Sequence, residues 1–153
     1  MEDPDGALVG WMDRETFLVG ELERRDVEAR IRSGFVMESG EVDVDGFVKF
    51  SLTVQNRRKA RAGYALMNHF GELLTQNQVR FQAEATTEKR KAADFLFPGE
   101  EAYHSSDFPV AHLHMVAAKT SCKDRWRQVL AEADRIEIKH LLTLEPGLPP
   151  AQT

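Results

Sequence analysis

The chain has 153 residues, of which 42% are hydrophobic and 29% charged, with a formal net charge of -5. That length suits one domain, and that balance excludes a disordered chain, which would bury too little apolar surface to offset its ordering entropy. The apolar runs fall short of the roughly 20 residues a bilayer-spanning helix needs, the start "MEDPDGALVG" lacks a basic secretion signal, and the single cysteine, Cys122, excludes an intramolecular disulfide; a soluble, cytoplasmic protein without membrane contact is expected.

Residues from about Met12 to Arg32 read as a charged amphipathic helix, with Trp11, Leu18, Leu22 and Ala29 on one stripe and Gly34 as its stop. "VDVDGFVKFSLTV" alternates like a strand, with "DG" as a turn signal. The basic stretch "QNRRKARAG" then opens a helix on which Leu66, Phe70, Leu73 and Leu74 recur at helical spacing. Two strands follow, "VRFQAEA" and the run around Asp94 in "KAADFLFPG", the second closed by Pro98 and Gly99. A polar loop, "EEAYHSSDFP", leads to the strand "AHLHMVAAKT", then to a helix from Cys122 to Asp134 with Trp126, Val129, Leu130 and Ala133 on its apolar face, then to the strand "IEIKHLLTL". Alternating helices and strands predict the α/β class, a mixed sheet flanked by helices. Residues 1–145 read as one domain and residues 146–153, "PGLPPAQT", as a proline-rich tail expected to be extended or disordered.

Asp94 is the anomaly in that order. A carboxylate inside an apolar strand must find a partner, because removing its water costs several kcal/mol. Lys119 ends a later strand on the face of Leu113, Met115 and Ala117, so its ammonium emerges at a strand end. An aspartate that holds a divalent metal beside a lysine that orients water and balances phosphate charge is the chemistry of phosphodiester hydrolysis. Magnesium asks for a second carboxylate, and the simplest position, two residues before the lysine, is Ala117. On the following helix Glu132 shares a stripe with Arg125 and Gln128 and is placed to reach back; the plainer reading is a surface pair with Arg135 at i+3.

Other candidates are weaker. His112 and His114 alternate on a strand but find no further zinc ligands at sensible spacing, and Cys122 has no identifiable base, which leaves it a helix-start thiol. Tyr103 lies in the loop before the lysine strand, where by itself it reads as a tyrosine that packs on the core. The two basic clusters, "QNRRKARAG" and "TSCKDRWRQ", read either as solvated helix starts or as DNA-binding surface.

At these residues the chain resembles the EcoRII-type restriction endonucleases of the PD-(D/E)xK nuclease superfamily. The likeness is carried by "AAKTSCKDRWRQVLAEADRIEIKHLLTLEPG", with "DVDGFVKFSLTVQNRRKARAG", "DFLFPG" and "YHSSDFP" in support, and extends from about Asp13 to the end. It implies a restriction-endonuclease-like sheet and a magnesium-dependent, dimeric nuclease that cuts double-stranded DNA at CC/GG half-sites, alongside a methyltransferase that protects the host. It places metal-binding carboxylates at Asp94 and Glu132, the catalytic lysine at Lys119, a site tyrosine at Tyr103, and base reading in "KDRWR", with Asp124 and Arg125 on cytosine and guanine and Lys123 near bases and phosphate. Arg57, Arg58, Lys59 and Arg61 are then expected on the DNA backbone. Two positions depart from the pattern: Ala93 stands where proline is common, and Met67 where related enzymes carry a helical glutamate. Family members continue by about a strand and a helix past the end of this chain, which is therefore expected to lack them. With Met67, that sets a second expectation, a catalytically impaired DNA-binding remnant of the nuclease fold.

Overall fold

The first helix of the computed structural model, α1, runs Pro4–Arg32 and the second, α2, Val44–Gln76; the described residues are 3–88, 91–121 and 129–144. The chain divides into two compact units, Asp5–Ala65 and Leu66–Thr153, the latter with Met1–Pro4, and the division falls within α2.

In the helical unit α1 begins earlier than its periodicity suggests and ends at Gly34, whose φ of 77° is the left-handed conformation that glycine adopts without steric cost. The predicted stripe is not the buried one. Leu8, Met12 and Glu23 are buried, whereas Leu18 and Leu22 are 61% and 59% exposed.

"VDVDGFVKFSLTV" is helix rather than strand, with only Val42 pairing, in an isolated bridge to Val36. Two contacts override the alternation of its β-branched residues. Asp43 caps α2, its Oδ1 accepting from the Gly46 amide at 2.8 Å, and Gly46 leaves room for that carboxylate because a Cβ there would fall 2.0 Å from Asp43 Oδ2. Phe47 and Phe50, three residues apart and so on one helical face, both pack on Phe35, at 5.3 and 5.6 Å between ring centroids.

The second unit is built on a four-stranded mixed sheet of β1 (Gln82–Thr86), β2 (Ala92–Phe97), β3 (His114–Ala118) and β4 (His140–Leu142), in the order β1-β2-β3-β4. The first two pairings are antiparallel and β3–β4 is parallel. The four later runs read as strands are these strands, with trimmed ends except at Thr86, where β1 goes one residue past "VRFQAEA". The predicted loop opens instead as a short helix, α3 (Glu100–His104), and Val110–His112 form a 3-10 turn, so His112 and His114 do not share a strand face.

The core gathers Ala85, Ala93, Leu96, Tyr103, Leu113, Met115, Ala117, Val129, Ala133 and Ile136. Phe95 packs edge-on to Phe70 of α2, with centroids 5.0 Å apart. Val129 and Leu130 are helical, and residues 122–128, including Trp126, lie outside the described residues. Of its predicted apolar face Val129 and Ala133 are buried, while Leu130 is exposed. Ala131–Ile136 then form turns rather than continuing helix to Asp134.

Candidate active site at the end of the sheet

Asp94 sits within β2, and Lys119 immediately follows β3. The β2–β3 register pairs Phe95 with Val116 and Leu96 with Met115, which places Asp94 at the end of β3 from which Lys119 emerges. Leu113, Met115 and Ala117, which precede Lys119 on its face, are all buried. Its backbone amide donates to Leu142 O at 3.0 Å, carrying the β3–β4 ladder one residue further and fixing the base of the side chain. The ammonium lies 2.6 Å from Asp94 Oδ2, and the Ala118 amide donates to the same oxygen at 2.8 Å. Both side chains are 17% exposed, so the pair is largely withdrawn from water while one edge stays open. The aspartate that interrupts an apolar strand is thus held by one cation and one backbone donor, as a carboxylate in a dry setting requires.

Glu132 belongs to the same electrostatic neighbourhood. Burial pushes its carboxyl above the usual carboxylate range, and the Asp94 charge adds to that against the pull of Lys119, Lys91 and Lys139. Its Oε2 is buried and has no hydrogen-bond partner among the described residues. The surface pair with Arg135 does not form; that guanidinium donates instead to the carbonyls of Tyr103, Ser105 and Phe108. Two lysines that sequence reasoning passed over hold the helix end just before Glu132. Lys91 donates to Ala131 O at 2.6 Å and Lys139 to Leu130 O at 3.2 Å, cations on C-terminal carbonyls. Nothing in the residues around Lys91 says that it reaches forty residues ahead.

Tyr103 is fully buried, and its hydroxyl donates to Glu88 and accepts from the Arg135 amide. Burial and the Glu88 hydrogen bond raise its pKa to about 12. Lys123, Asp124 and Arg125 lie outside the described residues. The other basic cluster belongs to α2 in the helical unit. Arg57, Lys59 and Arg61 are exposed there, but Arg58 is paired with the buried Glu23, donating through Nε at 2.6 Å with Nη2 at 2.5 Å. Met67 is half-buried on α2, and Ala93 is a core residue.

Residues 19–153 match the family described as EcoRII C terminal. The chain belongs to that family. Over 157 aligned positions it is 45% identical to the type II restriction enzyme EcoRII of Escherichia coli, an alignment that covers 98% of this chain and 36% of that protein. The chain therefore spans about a third of the length of that curated relative. Among solved structures it is similar to metal-depleted Ecl18kI in complex with uncleaved, modified DNA, with a TM-score of 0.75 at 19% identity, covering 98% of this chain and 56% of that one. The restriction endonuclease PspGI, solved as a complex with substrate DNA, aligns with a TM-score of 0.57 at 14% identity over 93% of this chain and 69% of its own. The chain is an EcoRII-type restriction endonuclease domain, and its mixed sheet with flanking helices is the restriction-endonuclease fold. No helix among the described residues is long and apolar enough to cross a membrane.

Proposed function

We propose that this EcoRII-family chain is the catalytic part of a type II endonuclease that hydrolyses phosphodiester bonds in double-stranded DNA at CC/GG-containing sites. The observation that carries the reading is the Asp94–Lys119 pair, 2.6 Å apart, whose charges act on a Glu132 carboxylate with one oxygen that has no hydrogen-bond partner among the described residues. The donor set fits a hard divalent cation such as Mg2+, since Asp94 and Glu132 both offer carboxylate oxygens and the buried Glu132 oxygen finds no hydrogen-bond partner among the described residues. No larger metal-binding group of His, Cys, Asp or Glu occurs among the described residues. Water and phosphate oxygens would complete the shell, as is usual for magnesium. When bound, the cation supplies charge stabilisation at the phosphate and a more acidic attacking water.

The protein's own part is orientation and charge. The Ala118 amide keeps Asp94 Oδ2 in place. Lys119, a compact ammonium with three donors, can turn from Asp94 toward an incoming phosphate or the attacking water without losing its backbone anchor. Arg125 and Asp124 are assigned to guanine and cytosine edges and Lys123 to bases and phosphate. Arg57, Lys59 and Arg61 are assigned to the DNA backbone, whereas Arg58 already serves Glu23. Tyr103, buried and bound through its hydroxyl, is assigned away from the phosphate. Residues 1–145 form the catalytic domain under this reading, which acts in the cytoplasm as a homodimer, with a cognate methyltransferase shielding host sites.

Plasmid and CC/GG duplex cleavage in Mg2+ tests this. Wild type nicks, and Asp94→Asn and Lys119→Met each lose about 10³-fold in rate. Protein that binds such duplexes but never nicks them at any Mg2+ or Mn2+ concentration overturns the enzyme in favour of a DNA-binding remnant.

A further inference from the structure

Glu132 comes under the charges of Asp94 and Lys119 from a segment of irregular turns. Ala133, next to it, has a φ of 50°, a left-handed conformation that residues with a Cβ rarely adopt. Something must over-determine that turn, and the structure shows what does. Glu88, which follows β1, accepts the Asp134 amide at 3.0 Å with one carboxylate oxygen and the Tyr103 hydroxyl with the other. The Tyr103 hydroxyl in turn accepts the Arg135 amide at 3.2 Å. The Arg135 side chain returns the grip, donating to the carbonyls of Tyr103 and Ser105 in and after α3 and lying 5.7 Å over the tyrosine ring. Two successive amides after Ala133 are therefore clamped by residues from two other elements, and both Tyr103 and Ala133 are fully buried.

We propose that Glu88, Tyr103 and Arg135 are positioning residues that hold the Ala133 turn so that the Glu132 carboxylate faces Asp94 and Lys119. Their relation to cation binding rests on the function proposed above; their hold on the turn does not. None of the three touches substrate. Tyr103 acts through its hydroxyl as a bridge between a carboxylate and a backbone amide, which is why a fully buried tyrosine matters to a site it does not line. Second-layer hydrogen bonds of this kind orient a ligand and keep it from relaxing elsewhere.

The decisive variant is Tyr103→Phe, which keeps the packed ring and removes only the bridge. In metal-free protein, amide hydrogen exchange followed by NMR is expected to speed up at least tenfold at Glu132–Ile136, with the amides of β2 and β3 unchanged. Mn2+ affinity, measured by calorimetry without DNA, is expected to fall 10- to 100-fold, and Glu88→Gln should do the same to a smaller degree because its amide still accepts. Tyr64→Phe, on an exposed tyrosine, serves as the control and changes neither. Exchange that is unaltered at Glu132–Ile136, or that rises equally across β2 and β3, overturns the proposal, as does unchanged Mn2+ affinity in a protein that binds Mn2+. A wild type that fails to bind Mn2+ while Tyr103→Phe still loosens only this turn defeats the metal-site reading and leaves the positioning role supported.

Discussion

The two units each bury a carboxylate and solve the problem differently. In the helical unit Glu23, 5% exposed, receives two nitrogens of the Arg58 guanidinium on one oxygen, and the arginine's other side faces solvent. In the sheet unit Asp94 receives a lysine and a backbone amide, and the half-buried Glu132 carboxylate, which feels both charges, has a buried oxygen with no hydrogen-bond partner among the described residues. The first arrangement is a finished structural tie, a fork that fixes two helices' side chains and leaves no donor pointed at a site. The second is unfinished, with excess carboxylate and a cation able to change partners. A buried ion pair alone therefore does not mark a functional site; what marks it is the unsatisfied group beside the pair.

Exchanging the two cations is the strongest way to break that contrast. Lys119→Arg enlarges and stiffens a side chain in a space that is 17% exposed and is expected to cut DNA cleavage by about 10²-fold or more, read in single-turnover assays. Arg58→Lys leaves one donor for two and is expected to lower the melting temperature while cleavage by the folded protein stays within about twofold.

The predicted apolar stripe of α1 should differ as sharply from the sheet core. Leu96, fully buried in β2, is expected to cost about 3 kcal/mol when cut to alanine, whereas Leu22→Ala on the exposed flank of α1 stays within about 0.5 kcal/mol, both read by denaturant unfolding. Equal losses would show that Leu22 is covered in the folded protein.

A smaller effect separates the units by pH. The native Tyr103 pKa of about 12 lies above its unfolded value near 10, so its contribution is fully present below about pH 10 and is lost as pH rises to 12. The whole contribution is on the order of 2 kcal/mol, about half of it lost by pH 11, and unfolding curves at pH 9 and 11 should show that part in wild type and not in Tyr103→Phe. Glu88 runs the other way. Its own burial pushes it up, but its hydrogen bonds, led by Tyr103, outweigh that and hold it below the usual carboxylate range, so its contribution is present above about pH 4.3 and fades in acid. The smallest expected change is in salt dependence. Arg57→Ala should lower the slope of log affinity against log salt by about 0.9 for one phosphate contact and leave the melting temperature unmoved, whereas Arg58→Ala, by exposing Glu23, should lower that temperature first.

Much of the sheet unit was legible beforehand. Apolar runs bounded by glycine and proline marked its strands, and the single carboxylate in "KAADFLFPG" demanded a partner that Lys119, at the end of another strand, supplied. The helical unit was less legible. Alternating valines and phenylalanines around Phe47 satisfy a period of two almost as well as the helical i, i+3 spacing, and only the Asp43 cap and Phe35 decide between them. The buried stripe of α1 was misjudged because its buried positions include a glutamate, which no hydrophobic pattern nominates.

By itself, then, the amino-acid order determined what depends on neighbours within a few residues: the strand runs of the sheet, the helix through Leu66 and Leu74, the stop at Gly34, and the presence of an aspartate and a lysine suited to phosphodiester chemistry. Only the tertiary structure decided that Glu132 lies within reach of their charges, that Lys91 and Lys139 secure the helix end before it, and that Tyr103 is spoken for by Glu88 and Arg135. Most of these are hydrogen bonds or charge interactions between groups more than ten residues apart, several of them more than thirty. Periodicity is blind to them, because a side chain's partner at that separation is set by how the strands and turns pack and not by its place in the chain.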